Sequence, residues 1–313
     1  MASAIAYTTF GGPEVLTLIE IPSPSPGSGE IAVRVEAAGV NPIDGKLRSG
    51  QRASAPLTQA RRVGADAAGV ITAVGAEVDG FRVGDAVVVF GAHGAYASEI
   101  VISTQDAQPR PVQVSAQEGA ALGIPVGTAY QTLRSLDVGP GDTLLVHAGS
   151  GSVGQAAIQY AVLWGATVIA TSSERRFERV RELGAVPVAY GPGLADRIRA
   201  AAPQGVTVAV DAAGTDEAIE TSLELVANRD RIATLVRGRD AASFGIRAFS
   251  GGGPRPLTAQ EQAWRREAMP VTLALLAVGR FSVELGPSFP LADASGAHRA
   301  MHDGADGKIT LIP

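Results

Sequence analysis

The spacing of hydrophobic and polar positions changes near Leu122. Before it the chain is β-rich with a cadence of glycine and proline. Ile31 to Ala37 alternates apolar and polar side chains as a half-buried strand does, and Ala67 to Val74 does so less cleanly. Pro22 to Gly29 carries five prolines and glycines in eight residues and reads as a loop or the lead-in to an edge strand. After Leu122, short apolar blocks alternate with amphipathic stretches. Strands are predicted at Leu144 to Val146, Ala166 to Ala170, Val186 to Ala189, Thr207 to Asp211, Arg231 to Val236 and Ile246 to Phe249. Helices are predicted at Gln155 to Trp164, Glu174 to Leu183, Leu194 to Ala201 and Thr215 to Val226. Strands alternating with helices in this way predict an α/β fold with a doubly wound parallel sheet. Gly251-Gly252-Gly253-Pro254 then reads as a hinge, and a long helix from about Thr258 to Val278 leads into a short tail. There is no internal repeat.

The most specific stretch joins the apolar Leu144-Leu145-Val146 run to the turn Gly149-Ser150-Gly151-Ser152-Val153-Gly154 and then to the Gln155 helix. GxGxxG alone says little in a chain with 38 glycines. Set between a strand and a helix, it is the fingerprint of a dinucleotide site, with the pyrophosphate on the helix N-terminus where free N–H groups and the dipole favour anions. An NAD site would place Asp or Glu about 20 residues past the glycines, to accept bonds from the ribose 2′-OH. Here Ser172 stands at that position, followed by Ser173, Glu174, Arg175 and Arg176. Hydroxyls with a bidentate cation suit a 2′-phosphate, so the predicted cofactor is NADPH. Glu174 is the contrary sign unless it caps the following helix, and a solvated helix face would read the same for Arg175 and Arg176.

Composition narrows the class. At 313 residues, 46% hydrophobic and 18% charged, the chain has globular proportions and a length that suggests two domains. A net charge of −5 argues against nucleic acid or an acidic membrane surface as main partner. No apolar run approaches the ~20 residues that span a bilayer, and no basic segment precedes the first apolar residues, so the expected location is cytoplasmic. The chain has no cysteine, which removes disulfides, catalytic thiols and Cys-based zinc sites. His298 and His302 lie at i and i+4, a spacing open to zinc, although a solvated tail helix reads the same way.

Several motifs carry a family resemblance. Gly39-Val40-Asn41-Pro42-Ile43-Asp44, Gly64-Ala65-Asp66-Ala67-Ala68-Gly69-Val70, Val74-Gly75, Phe81-Arg82-Val83-Gly84-Asp85, Gly127-Thr128-Ala129-Tyr130, Leu183-Gly184-Ala185 and the closing Gly307-Lys308-Ile309-Thr310-Leu311-Ile312-Pro313 resemble, in order, signatures of the medium-chain dehydrogenase/reductase superfamily. The resemblance implies a GroES-like β-rich catalytic domain at residues 1–121 and 254–313 around a Rossmann NADPH-binding domain at 122–253. Zinc-dependent members would have their ligand cysteine at Asn41 and ligand histidine at Ala65, and neither residue present replaces a thiolate or imidazole, so no metal is expected. What remains is similar to the zinc-free quinone oxidoreductases and the related enone oxidoreductases. The latter show a lysine where Lys46 stands, whereas quinone reductases tend to carry tyrosine there.

The resemblance implies hydride transfer from a nicotinamide to a quinone or to the β-carbon of an α,β-unsaturated carbonyl. Donors must then stabilise the oxyanion or enolate. Lys46 is the candidate for facing the carbonyl and returning a proton, and Asn41 for binding substrate or the nicotinamide ribose. A solvated loop lysine and a turn-starting Asn-Pro are the plainer readings. Thr128 stands where the family puts a hydroxyl near the nicotinamide, although it reads equally as a helix N-cap. Tyr190 matches a tyrosine beside the adenosine phosphate, or a half-buried core tyrosine. The Asp211-Ala212-Ala213-Gly214 turn would lie under the cofactor, with Ala213 in contact. Substrate is expected in a cleft between lobes. The basic run from Gln51 to Arg62 suggests a polar or anionic group on it, and the triple glycine suggests a mobile lid. A homodimer joined by the edge of the cofactor sheet is expected. An NADPH-binding sensor with little turnover and a reductase of enoyl thioesters keep the same fingerprint.

Overall fold

The structure is a computed structural model that describes residues 1–52, 56–249 and 255–313. The predicted Gly251–Pro254 hinge lies outside the described residues. The chain forms two compact units, residues 1–124 with 269–313, and residues 125–268.

In the second unit the alternating pattern becomes a six-stranded parallel sheet. Taken in chain order, its strands are Thr143–His147, Thr167–Ser172, Val186–Ala189, Val208–Asp211, Ile232–Thr234 and Arg247–Ala248. In the sheet the third lies outermost, followed by the second, first, fourth, fifth and sixth. The chain order therefore reverses between Thr143–His147 and Val208–Asp211, which pair in register with His147 opposite Asp211. A ligand binds such a sheet beyond the carboxyl ends of the strands at that reversal. The strands read as continuous apolar blocks because helices such as Ser152–Leu163, Leu194–Ala201 and Asp216–Leu225 cover the sheet. Leu145, Ile169, Ile198, Ala209, Ile219 and Ile232 fill its core.

Several boundaries differ from the sequence expectation. Glu174 to Leu183 opens as a 3₁₀ turn, Glu174–Arg176, before the helix Phe177–Glu182, and the last strand shrinks to two residues. The long helix is Ala259–Ala277, but its first half belongs to the second unit rather than to the β-rich one. The reason is local bonding to the helix Gly123–Ser135. Tyr130 donates to Glu267 (2.9 Å), Arg265 donates to the Thr128 hydroxyl (3.3 Å), and Arg134 lies over the Trp264 ring.

The first unit is built on a seven-stranded sheet. Its central strand, Glu30–Gly39, pairs antiparallel with Asp66–Val74, Glu99–Ser103 and Lys308–Ile312. The predicted tail is thus not a tail. Leu285–Pro290, the helix Ala294–His302 and Lys308–Ile312 return to the sheet, and Thr310 sits opposite Gly39. Ile31, Val33, Ile71, Val87, Ile309 and Leu311 pack the core from both chain ends. No helix among the described residues is long and apolar enough to cross a membrane.

The glycine turn and a buried polar centre

The three fingerprint glycines meet different surroundings. A Cβ on Gly149 would lie 2.6 Å from the Ala170 Cβ, and one on Gly154 would lie 2.3 Å from the Ala148 carbonyl oxygen. Those two positions are glycine because the turn packs against its own strand and the neighbouring one. A Cβ on Gly151 meets nothing closer than 3.5 Å. Its open side leaves backbone approachable where the helix Ser152–Leu163 begins, and N–H groups in that first turn have no partner within the helix. Ala148, a non-glycine residue at φ 59°, bends the chain into the turn, which is pinned to the next strand by Gly149 N–H to the Thr171 carbonyl (2.8 Å). The space beside Gly151 and these outward donors fit a diphosphate.

The remaining predicted cofactor residues all belong to the second unit. Ser172 ends its strand and is buried, its hydroxyl on the Ser173 carbonyl (3.2 Å). Ser173 precedes the 3₁₀ turn without capping it, Glu174 and Arg175 are exposed, and Arg176 is half-buried. Tyr190 is 60% exposed and is not a core tyrosine. Ala213 N–H and Gly214 N–H both donate to the buried Asp211 carboxylate (2.9 and 2.7 Å), and Thr234 donates to its other oxygen (2.7 Å). Asp211 therefore organises the turn. Thr128 lies inside the Gly123–Ser135 helix, not at its start, and is buried. His147, which sequence reading did not single out, is buried against Ser222 (3.1 Å), and burial pushes its pKa down to about 4.

In the first unit, Asn41 and Asp44 belong to a buried polar centre. The Pro42–Arg48 helix starts where Asn41 N–H donates to Asp44 (2.9 Å). The Asn41 amide donates to Asp66 (2.8 Å) and to the Gly39 carbonyl (3.3 Å), and its oxygen accepts from Lys308. Both ends of the Asn41 side chain are thus engaged inside the protein. Asp66 also accepts Ile124 N–H (2.9 Å), and its second oxygen is buried with no partner. Asp44 further accepts the Tyr96 hydroxyl (2.9 Å), so it holds the loop rather than orienting Lys46 or Arg48 directly. Burial pushes the Asp44 carboxyl up to about 7 against the pull of these donors. Asp66 is also raised by burial, and burial lowers the Lys308 ammonium. Lys308 and Asp66 were visible in sequence only as motif letters, because their meeting depends on the pairing of Lys308–Ile312 with Glu30–Gly39.

Lys46 is exposed on the opposite face of its helix, and among the described residues no ion pair reaches it. The basic run divides. Arg61 lies over Tyr7 and Phe10, while Arg62 donates to the Gly94 carbonyl (2.7 Å). His298 is buried and His302 exposed, so the two do not form a pair. Among the described residues no group of three or more His, Asp or Glu is placed to hold a metal ion.

A β-rich unit carrying the Asn-Pro loop, joined to a parallel sheet with a glycine turn at its reversal point, is the architecture of medium-chain dehydrogenase/reductases. Residues 27–130 match the family model described as alcohol dehydrogenase GroES-like domain, and residues 152–250 match zinc-binding dehydrogenase. Quinone oxidoreductase of Sus scrofa is 31% identical over 325 residues, covering 100% of this chain and 98% of its own. Quinone oxidoreductase of Pseudomonas syringae superposes with a TM-score of 0.85 at 30% identity over 100% of both chains. The Escherichia coli quinone oxidoreductase, solved complexed with NADPH, gives 0.85 at 28% identity over 99% of this chain and 100% of that one. The chain belongs to the quinone oxidoreductase family of oxidoreductases within that superfamily.

Two outcomes follow from this geometry. Gly154→Ala is expected to lower the unfolding free energy by about 1–3 kcal/mol, whereas Gly151→Ala stays within about 0.5 kcal/mol of wild type, read by urea denaturation. The second concerns Asp44, whose folded pKa of about 7 lies above its ordinary 3.8. The folded state then holds this proton to higher pH than the unfolded chain does, so the contribution of Asp44 to stability falls as pH rises through that window. Asp44→Asn should shrink the loss of stability between pH 5 and pH 8, and an unchanged loss would place the titration elsewhere.

Proposed function

We propose that this chain is an NADPH-dependent, zinc-independent reductase of quinones or of the carbon–carbon double bond of α,β-unsaturated carbonyls, working as a cytoplasmic homodimer. The observation that carries the reading is the glycine turn with its open Gly151, followed at the end of the next strand by Ser172 in place of a carboxylate. Quinone oxidoreductase relatives over the whole chain, one of them solved with NADPH, support it.

In this reading the backbone of Gly149, Ser150, Gly151, Ser152, Val153 and Gly154 receives the diphosphate at the helix start. Ser172, Ser173, Arg175 and Arg176 receive the 2′-phosphate, since a guanidinium and hydroxyls satisfy a dianion that a carboxylate would repel. The exposed Tyr190 ring lies along the adenosine side, Ala213 offers its turn beneath the cofactor, and the Thr128 hydroxyl, set by Arg265, faces the nicotinamide. NADPH, when bound, supplies the hydride. Lys46 stabilises the oxygen on which negative charge develops and returns a proton through its ammonium. Asn41 acts by holding the loop, because a direct contact with substrate would break a bond to Asp66 or Lys308. The same bonds support zinc independence. The Asn41 oxygen already faces the Lys308 ammonium, which a divalent cation would have to displace, and Ala65 offers no ligand atom.

The first test is NADPH oxidation, followed by absorbance, with ortho- and para-quinones and medium-chain enones beside an NADH control. The expected result is turnover of one acceptor class with kcat/KM for NADPH at least about tenfold above NADH, a preference that Arg175→Ala/Arg176→Ala removes. Tight NADPH binding with no acceptor reduced would overturn the enzyme reading in favour of a sensor, and turnover of acyl thioesters alone would point to an enoyl reductase. In the same assay Lys46→Met should lower kcat by about 100-fold while leaving NADPH affinity unchanged. A change under about threefold would return Lys46 to a solvated helix face.

A further inference from the structure

The buried face of the Pro42–Arg48 helix carries Asp44 and Arg48, one turn apart, and both are tied to residues far away in sequence. Arg48 Nη1 lies 2.9 Å from His298 Nδ1, His298 Nε2 lies 3.3 Å from the Tyr96 hydroxyl, and that hydroxyl lies 2.9 Å from Asp44 Oδ2. All four side chains are buried. The Tyr96 and His298 rings also meet edge to face at 5.8 Å.

Donor chemistry gives this ring one direction. Arginine only donates, so His298 Nδ1 must present its lone pair and the imidazole proton must sit on Nε2. Nε2–H then donates to the Tyr96 oxygen, leaving the phenol proton to donate to the Asp44 carboxylate. We propose that His298 is a positioning residue: held as its Nε2–H tautomer, it closes the circuit Arg48–His298–Tyr96–Asp44 and thereby fixes the Pro42–Arg48 helix and the direction in which Lys46 is presented.

Energetics favour such a brace. A helix of seven residues is too short to hold itself in water, where about 12–15 are needed. Its start is held by Asn41 and by Asp44, which is also a corner of the ring, and its end by Arg48, which bonds Gly11 as well as His298. Lys46, two residues from each corner, projects from the opposite face, so any roll of the helix about its axis swings the ammonium directly. The other corners are rigid. Tyr96 is held on both sides by its own N–H to the Val63 carbonyl (2.9 Å) and its carbonyl to Ile5 N–H (2.8 Å) of the strand Ala2–Tyr7, and His298 stands on the Ala294–His302 helix. The charges around the ring suit this state. Burial, with the Arg48 guanidinium adding to it, pushes the imidazole pKa down to about 4, so it stays neutral, while Glu14 faces Arg48, and Asp66 and Lys308 face Asp44.

The functional part rests on the role proposed for Lys46, so the test has two readouts. Nitrogen-15 NMR of histidine-labelled full-length protein at pH 6–8 should show two rings that stay neutral, those of His147 and His298, and the one whose signals vanish in His298→Leu should have Nε2 protonated and Nδ1 bare. An Nδ1–H tautomer or an imidazolium there would overturn the proposal whatever the enzyme reduces. With a neutral quinone, His298→Leu should lower kcat/KM by about tenfold or more. NADPH affinity, which depends on the other unit, should change less than about twofold. His298→Gln, which keeps an acceptor and a donor, should recover most of the loss. Equal activity in wild type and His298→Leu would overturn the positioning role. An Nε2–H tautomer in a wild type that reduces no quinone would sink the reductase reading while the brace stands, and the brace would then be read by trypsin cleavage at Lys46 and Arg48, expected faster in His298→Leu and unchanged if the brace is wrong.

Discussion

The first unit depends on holding Asp44, Asp66 and Lys308 together away from water, Asn41 bonding all three while one Asp66 oxygen keeps no partner. Two carboxylates and one ammonium are fully buried together, and isolated charges in that setting would cost several kcal/mol each. Asn41 is the link, since its one amide donates to Asp66 and accepts from Lys308 while its backbone N–H binds Asp44. Four separate segments must meet for this to happen: the Asn-Pro loop, the strand beginning at Asp66, the chain around Ile124, and the closing strand. Gly39 and Gly123 are part of the same constraint. A Cβ on Gly39 would sit 2.0 Å from the Ala120 carbonyl oxygen, and one on Gly123 equally close to the Asp66 carboxylate. Burial is the main reason Asp44 carries a pKa near 7, with the neighbouring Asp66 carboxylate adding a smaller push in the same direction.

The second unit answers to a different constraint, the parallel sheet. Parallel strands must be joined by crossover helices, and the reversal of strand order leaves Thr143–His147 and Val208–Asp211 side by side with their ends open on one edge. Both turns leaving that pair are stiffened by internal bonds, one through Thr171 and one through Asp211. The groups that would face a cofactor are therefore backbone donors on a preformed frame, which lose little freedom on binding.

This difference decides what could be read from the amino-acid order. In the cofactor unit each structural step is local. An apolar block, a glycine turn and an amphipathic helix follow one another within about 30 residues, so the glycine turn, the place of Ser172 at the end of the next strand and the alternation of strands with helices were legible. Arg265 and His147 were not, because a single basic residue in a helix and a histidine in a strand carry no period or spacing. In the first unit the determining contacts are long-range. Nothing near Lys308 announces that it will reach Asn41, and nothing around His298 separates a buried position from a solvated helix face, since only its contacts with Arg48 and Tyr96 do so. Motif resemblance marked several of these letters without saying what they touch. Lys46 is the converse case, a residue whose exposure was legible and whose chemistry depends on what holds its helix.

Asn41 shows why residue type at a motif position and residue role need separate arguments. A side chain at that place in the Asn-Pro loop could be supposed to meet substrate, but its two amide hydrogens and its oxygen are already committed to Gly39, Asp66 and Lys308. Breaking any of these would strand a charged or polar group in a buried site, and such losses run to about 1–3 kcal/mol or more per group. Asn41 therefore links the buried charges to the loop, and Asp44 and Arg48, on the helix that carries Lys46, meet Tyr96 and His298 from other parts of the unit. The exposed ammonium is the only cation of this assembly that remains free of an internal partner among the described residues, and it is free because the others are not.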